Sequence, residues 1–286
     1  MSKTKNYIKS FLKDGVLTLT LNDIKTKNAV NVEMANQLIA SLSNFSTDPH
    51  SKVLLITGNS NSFCSGANVQ IMKESLNSID RKSTLDSDPW KELDNSIKNN
   101  LNEPESDEIE IIRNITRRIY NLRKPSVAAV NGAAIGFGMG LALSCDIRLA
   151  STSAIFREAF VNVGLIPADG SCWYLPRMIG LSNSLLYQYT GEPITANEAY
   201  RLGLVSQVTQ PDKLMEVSIN LCNKLANGAT YSMSIIKRLT QLSSHMNFED
   251  SMDMSGIAQG IARNTNDHKE GVSAFLQKRK PFFKGD

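Results

Sequence analysis

Two short stretches carry the groups best placed to do chemistry, and in both those groups belong to the backbone. One is Gly132-Ala-Ala-Ile-Gly136-Phe-Gly138-Met-Gly140, and the other is Phe63-Cys-Ser-Gly66-Ala67-Asn68. The first fails as a dinucleotide fingerprint. Leu141 stands where G-x-G-x-x-G needs its third glycine, and no acidic residue lies ~20 positions on in a clean βαβ unit. It fails as a P-loop because no Lys-Ser/Thr pair follows at the required spacing. What remains is a turn that feeds a helix N-terminus, where unpaired N–H groups and the helix dipole favour negative charge. Two such turns could each point one N–H at a single oxygen and so form an oxyanion site. The other reading is that the glycines only let a helix pack closely on a strand.

Side-chain nucleophiles are poorly supported. The histidines are His50, His245 and His268, all in polar stretches, whereas a Ser-His or Cys-His pair needs one of them beside Ser65, Ser171 or Cys172. No His-x-x-x-His or Asp/Glu cluster has metal-ligand spacing, so no metal is expected. Cys64, Cys145, Cys172 and Cys222 are widely spaced without a C-x-x-C pair, which suits neither a zinc site nor a disulfide framework and fits a reducing compartment.

The elements that must position the two turns follow from the hydrophobic pattern. Val16-Leu-Thr-Leu-Thr-Leu21 alternates at period two and ends in Asn22-Asp23, as one arm of an antiparallel hairpin does. Asn31 can cap a helix with an apolar stripe of Met34, Leu38, Leu42 and Phe45. Val53-Leu-Leu-Ile-Thr57 is a continuous apolar run, as in a strand buried on both faces, and Gly58 stops it. Ile109, Ile112, Ile115 and Ile119 mark an amphipathic helix that Pro125 ends. Ser126 to Val130 and Asp146 to Ala150 read as strands on either side of the second glycine turn. Strand, small-residue turn and helix thus recur at Ser62–Met72 and Asn131–Ser144, and the pattern predicts a parallel α/β core. From Lys73 to Glu110 there are 11 acidic and 5 basic residues, which reads as a surface excursion, either a solvated loop or a lid. Past Gly180 the chain reads as helical: Thr195 can cap a helix over 196–202, and two longer amphipathic segments follow near 211–226 and 229–242.

With 31 Lys+Arg against 28 Asp+Glu, the net charge of +3 over 286 residues makes no case for nucleic acid as the main partner. The longest apolar run, Val127 to Leu143, is interrupted by Asn131 and by glycines, and falls short of the ~18–20 residues of a membrane helix. The basic start lacks an apolar h-region and no peroxisomal address closes the chain, so the expectation is a cytoplasmic protein without membrane attachment.

Six ordered motifs carry a resemblance. Phe63-Cys-Ser-Gly-Ala67, Ala129-Val-Asn-Gly-Ala-Ala-Ile-Gly136-Phe-Gly, Cys145-Asp146-Ile147, Gly164-Leu-Ile-Pro167, Ala199-Tyr-Arg-Leu-Gly-Leu-Val205 and Glu270-Gly-Val-Ser-Ala-Phe-Leu-Gln-Lys278-Arg-Lys together resemble the crotonase (enoyl-CoA hydratase/isomerase) superfamily. The resemblance covers nearly the whole chain apart from the excursion at 73–110. It implies an α/β fold with a crotonase-like core of repeated ββα units over residues 1–195 and a helical C-terminal trimerisation region over 196–286. It also implies a homotrimer or hexamer. The ligand implied is an acyl-CoA thioester, with coenzyme A as part of the substrate and no tightly bound cofactor. Carried over residue by residue, the oxyanion-hole donors fall on the backbone N–H groups of Ala67 and Phe137. Lys278 matches a tail lysine that meets CoA phosphates in some relatives. Phe137, Met139, Phe160 and Trp173 would make an apolar acyl pocket, although they could equally be core.

The departures from the family pattern narrow the chemistry. The two glutamates that activate water in hydratases would fall on Gly140 and Phe160, and a carboxylate used by several isomerases would fall on Ala168. None of these can move a proton. The next residue can: Asp169, in Pro167-Ala-Asp169-Gly-Ser-Cys-Trp173, resembles a Pro-Gly-Asp-Gly-Gly-x-Trp pattern of some crotonase homologues. Glu158, two residues before the second missing glutamate, is the alternative carboxylate, while Asp146 reads as structural. Hydration needs one group to activate water and one to protonate the α-carbon, whereas moving a double bond needs a single base. A retained oxyanion hole with one candidate carboxylate therefore favours an enoyl-CoA isomerase, ahead of a divergent hydratase or a non-catalytic acyl-CoA-binding homologue.

Overall fold

The computed structural model describes residues 5–68, 90–91 and 107–286, with the backbone alone for 107–109. The excursion at 73–110, its reading as loop or lid, and the helix expected to follow the first turn therefore lie almost wholly outside the described residues.

The hairpin at the start pairs β1 (Ile8–Lys13) with β2 (Val16–Leu21), antiparallel. The chain then enters α1 (Val32–Thr47), whose Asn31 cap accepts the Met34 N–H at 2.8 Å. A cap of this kind is typically worth ~1 kcal/mol. Met34, Leu38, Leu42 and Phe45 face inward, as their spacing predicts. Next come β3 (Val53–Gly58), β4 (Ser62–Cys64), α2 (Asp107–Tyr120), β5 (Ser126–Val130), β6 (Ala133–Ile135), α3 (Phe137–Ser144), β7 (Ile147–Ser151) and β8 (Ile155–Arg157).

From β3 to β8, consecutive strands alternate between two sheets. The larger has the order β1-β2-β3-β5-β7-β10, with β10 at Gln207–Thr209, and is parallel apart from the hairpin. The smaller runs β4-β6-β8-β9, with β9 at Ile194–Thr195 antiparallel to β8. This is the repeated ββα arrangement that the resemblance implies. α4 (Ser171–Ile179), α5 (Leu181–Thr190), α6 (Ala196–Arg201), α7 (Leu214–Ala226), α8 (Thr230–Ser243), α9 (Phe248–Arg263) and α10 (Asn266–Leu276) complete the chain.

Both faces of the large sheet are covered, which accounts for the unbroken apolar run of β3. Leu54 and Ile56 face the main core with α1, α2 and α3, whereas Val53 and Leu55 face a second core with Leu214, Cys222 and Ala226 of α7. Residues beyond 195 thus contribute both a strand of this sheet and the helix that closes it. Asp146 is a tie beam: its Oδ2 accepts from Ser126 N at 2.8 Å and Ser126 Oγ at 3.0 Å, and it pairs with Lys237 of α8. Asp146 therefore joins β5 to the C-terminal helices. No helix among the described residues is long and apolar enough to cross a membrane.

Candidate active site

The two turns read from the sequence meet. β4 and β6 are parallel neighbours in the small sheet, so the chain leaves both at the same edge. Gly66, at φ 103, adopts a backbone that L side chains rarely take, and a Cβ there would lie 2.9 Å from Ile135 O and 4.0 Å from Phe137 N. Asn131 ties down the β3–β4 connection ahead of the Phe63–Asn68 turn, accepting Gly58 N–H at 3.1 Å and donating to Ser60 O at 2.7 Å. Val30 N–H donates to Gly66 O and Asn68 N–H to Val30 O, so the intervening Ala67 N–H turns away from that bridge. Phe137 opens α3, whose eight residues are all buried, and its N–H is one of the orphan donors of a helix start.

One turn further along α3 stands Gly140, and here the backbone makes room for an acid. A Cβ at Gly140 would stand 2.8 Å from Asp169 Cβ and nearer still to its carboxyl. With a rise of ~1.5 Å per residue, this is ~5 Å along the helix from Phe137. The space beside the hydratase glutamate position is thus filled by a different carboxyl. Asp169 is 2% exposed and lies just ahead of α4, where its Oδ1 accepts the Ser171 N–H at 3.0 Å. Its Oδ2 has no partner among the described residues.

Glu158, leaving β8, is 1% exposed and has no hydrogen-bond partner on either oxygen among the described residues; buried Ser171 Oγ likewise has none there. Burial pushes the Glu158 carboxyl well above the usual carboxylate range and the Asp169 charge pushes it further, with the nearby Ser171 hydroxyl partly opposing. Burial also raises Asp169, while the hydrogen bond from Ser171 N–H pulls it back.

Asp169 forms part of the wall of a cavity of about 610 Å³. Tyr120 of α2 with Trp173 and Tyr174 of α4 supply an aromatic side, with ring centroids 5.1–6.2 Å apart and edge-to-face. Arg113 and Arg117 of α2, and His245 just past α8, also line the cavity, His245 at 6.4 Å from the Trp173 ring. Sequence reasoning set His245 aside as one more histidine in a polar stretch and did not single out Tyr120 or Tyr174. No local signal brings residues 120, 174 and 245 together, because their meeting depends on how α2, α4 and α8 pack.

Of the expected acyl-pocket residues, Trp173 lies on this cavity. Phe160 is half-buried, with its ring 3.6 Å from where a Cβ on Gly136 would lie, and so stands near the Phe137 turn rather than on the cavity wall. Met139 is fully buried in the main core and Phe137 nearly so, and neither side chain reaches the cavity. The reason is that α3 is enclosed on every side, so its odd-numbered apolar side chains pack into protein. Lys278 is exposed at the end of α10, with φ 53, and α10 supplies no wall of the Asp169 cavity. Its neighbour Arg279 forks onto Glu270 at 2.6 and 2.9 Å. Among the described residues no three His, Cys, Asp or Glu side chains stand together as a metal site.

A model of the family described as enoyl-CoA hydratase/isomerase matches residues 12–99 and 95–286. The chain is 33% identical over 279 residues to 1,2-epoxyphenylacetyl-CoA isomerase of Escherichia coli (strain K12), covering 98% of each protein. To 2,3-dehydroadipyl-CoA hydratase of the same organism it is 33% identical over 270 residues, 94% of this chain and 95% of that one. Among solved structures, an enoyl-CoA hydratase subunit from Geobacillus kaustophilus HTA426 superposes with a TM-score of 0.82 at 29% identity, covering 98% of this chain and 99% of the other. With sequence, fold and the meeting of its two turns in agreement, the chain belongs to the enoyl-CoA hydratase/isomerase (crotonase) family of acyl-CoA enzymes.

Proposed function

We propose that the protein moves the double bond of an enoyl-CoA thioester, with Asp169 carrying the proton and the Ala67 and Phe137 N–H groups holding the thioester oxygen. The ionised Asp169 carboxyl takes a proton from the carbon between the thioester and the double bond. The electron pair left behind delocalises onto the thioester oxygen as a dienolate, where two backbone donors favour the charge. The protonated Asp169 then returns the proton to the far end of the dienolate, and the double bond re-forms in conjugation with the carbonyl. One carboxyl suffices because the same proton leaves one carbon and arrives at another.

The observation that carries this reading is the Asp169 carboxyl seated against Gly140, one helical turn from the Phe137 N–H. Burial makes it a stronger base than an aspartate in water, and the Ser171 N–H with the start of α4 keeps it available as the anion. The aromatic side of the cavity suits an apolar acyl chain. Two relatives are named as isomerases: the E. coli protein above and trans-2-decenoyl-[acyl-carrier-protein] isomerase of Streptococcus mutans, 29% identical over 272 residues.

Hydration is the second reading, and Glu158 favours it as a second buried carboxyl beside Asp169. The test is a panel of a 3-enoyl-CoA, crotonyl-CoA and a non-reacting acyl-CoA, followed by ultraviolet absorbance and mass spectrometry. Isomerisation changes the spectrum of the 3-enoyl-CoA at constant mass, whereas hydration of crotonyl-CoA adds the mass of water. Binding of all three without turnover would contradict both readings. The same proposal includes a homotrimer or hexamer with Lys278 meeting CoA phosphate. Supporting it, Phe248, Ile257 and Ile261 of α9 and Phe275 of α10 are at least half exposed in the single chain.

A further inference from the structure

We infer that Glu158 and Asp169 form one unit holding a single proton, with Glu158 as its protonated member, standing behind the base and setting the charge of the site. The inference rests on Asp169 being the base.

Four oxygens are out of water without hydrogen-bond partners among the described residues: both of Glu158, Asp169 Oδ2 and Ser171 Oγ. Gly136 N–H donates to Arg157 O at 2.8 Å, which seats Glu158 beside the start of α3, and Asp169 stands against Gly140 one turn along the same helix. Two neighbouring carboxyls in such a place cannot both be ionised, since each charge loses its hydration and repels the other. The local geometry decides which one keeps the proton. Asp169 has a backbone N–H on Oδ1 at 3.0 Å and the positive end of α4 behind it. Glu158 has neither. The anion therefore rests on Asp169 and the proton on Glu158, and two carboxyls with environments pushed apart take opposite roles.

Asp169 lines the cavity and Glu158 does not, so Glu158 acts through its neighbour as a positioning residue. During the reaction the substrate C–H bond breaks, its proton passes to an Asp169 oxygen, and the same proton leaves for the second carbon; the Glu158 proton stays in place. The unit carries one negative charge at rest and none when the dienolate forms, so the charge of the site never rises above one. If Glu158 also ionises, the dienolate must form beside a remaining carboxylate, and the reaction slows. The working state is the singly protonated unit, bounded below by protonation of Asp169 and above by ionisation of Glu158.

Other groups that could titrate here are on hand for controls. Cys172 of α4 has its thiol raised chiefly by burial and further by the Glu158 and Asp169 charges. Tyr174 on the same helix is pushed up, mostly by burial. Arg113, Arg117 and Tyr120 of α2 and His245 beyond α8 line the same cavity as Asp169. Arg157, next to Glu158, donates to Gly191 O at 2.5 Å.

Two measurements on the full-length protein test the inference. The first is infrared spectroscopy of the ligand-free wild type at neutral pH. A protonated-carboxyl C=O band should be present, should move when the glutamates are isotope-labelled, and should disappear in Glu158→Gln. The second is the pH profile of kcat/KM for a 3-enoyl-CoA. The wild type should show a bell, and Cys172→Ala should keep both limbs. Glu158→Gln should keep the acid limb and lose the alkaline one, so that the ratio of variant to wild-type rate grows about tenfold per pH unit above the upper wild-type pKa.

Melting supplies an independent sign. A carboxyl raised by folding binds a proton that the unfolded chain gives up above its pKa of ~4.3, so stability falls as pH rises from there through the folded value. Glu158→Gln lacks that loss and should melt above the wild type by a margin that widens with pH. An alkaline limb unchanged in Glu158→Gln, or the absence of a glutamate-derived protonated band in the wild type, would overturn the inference. If Glu158→Gln does not fold, the labelled wild-type spectrum decides alone. If the wild type isomerises nothing, the spectrum and the melting curves still decide the shared proton, so the two failures are distinguishable.

Discussion

Gly140→Ala separates two accounts of α3 by the sign of one number. In an unconstrained helix interior, alanine is more stable than glycine by roughly 0.5–1 kcal/mol. At Gly140 the added methyl would stand 2.8 Å from Asp169 Cβ and closer to its carboxyl, so restoring ordinary contact at 3.4 Å moves Asp169 or the helix by more than about 0.6 Å. α3 is enclosed on all sides and has nowhere to retreat, so the load falls on Asp169. Overpacking of this kind costs about 1–3 kcal/mol, which outweighs the propensity gain and leaves a net loss on the order of 1–2 kcal/mol. For a chain of this size the melting temperature should fall by about 2–8 °C. A base shifted by that much from its reacting carbon should slow turnover on the order of 10²-fold, while CoA-ester binding remains. Thermal melting and steady-state kinetics on one preparation read both effects. A Gly140→Ala variant that melts higher than the wild type and keeps its rate would refute the placement of the Asp169 carboxyl against α3.

Ala67→Pro deletes one of the two oxyanion donors without touching the acid; kcat should fall on the order of 10²–10³-fold in stopped-flow assays, and full turnover in a folded variant would remove the thioester oxygen from that turn. Lys278→Ala should weaken CoA-ester binding and flatten its dependence on salt while kcat at saturation stays nearly intact, as calorimetry at two ionic strengths would show. An unchanged dissociation constant would make Lys278 a solvating surface charge. Light scattering at micromolar concentration should give a trimer or hexamer, because the exposed Phe248, Ile257, Ile261 and Phe275 suit a repeated interface and closed rings satisfy it; a monomer would contradict that assembly.

The parts of the fold legible in the sequence were those set by local periodicity and caps. The stripe of α1, the Asn31 and Thr195 caps and the unbroken apolar run of β3 each follow from neighbours within about eight residues, and the structure shows all of them. The alternation of strands between two sheets was not legible from periodicity. β4, β6 and β8 have three residues each, too few to show a period, and the family resemblance supplied that arrangement. The candidate site was legible where its groups lie in the two turns and in the Pro167–Trp173 run. Its cavity was not, because Tyr120, Tyr174 and His245 meet only through helix packing. Met139 shows the limit of reading a helix as a pocket wall: one residue of an all-apolar helix looks like another until the surrounding layers are in place. Glu158 was legible as a carboxyl two residues off the family position, but its burial and its lack of partners among the described residues depend on tertiary packing that no local pattern shows.

The claim on which the rest depends is that Asp169 moves the proton of an enoyl-CoA, and the direct measurement is the rate of Asp169→Asn on a 3-enoyl-CoA. Asparagine keeps the shape and cannot accept a proton, and losses of a general base are typically ~10²–10⁴-fold. The variant should bind the acyl-CoA as the wild type does and shift its double bond at least about a hundred times more slowly. An Asp169→Asn protein that isomerises at near wild-type rates, or a wild type that hydrates crotonyl-CoA rapidly and leaves 3-enoyl-CoA unchanged, would contradict the account.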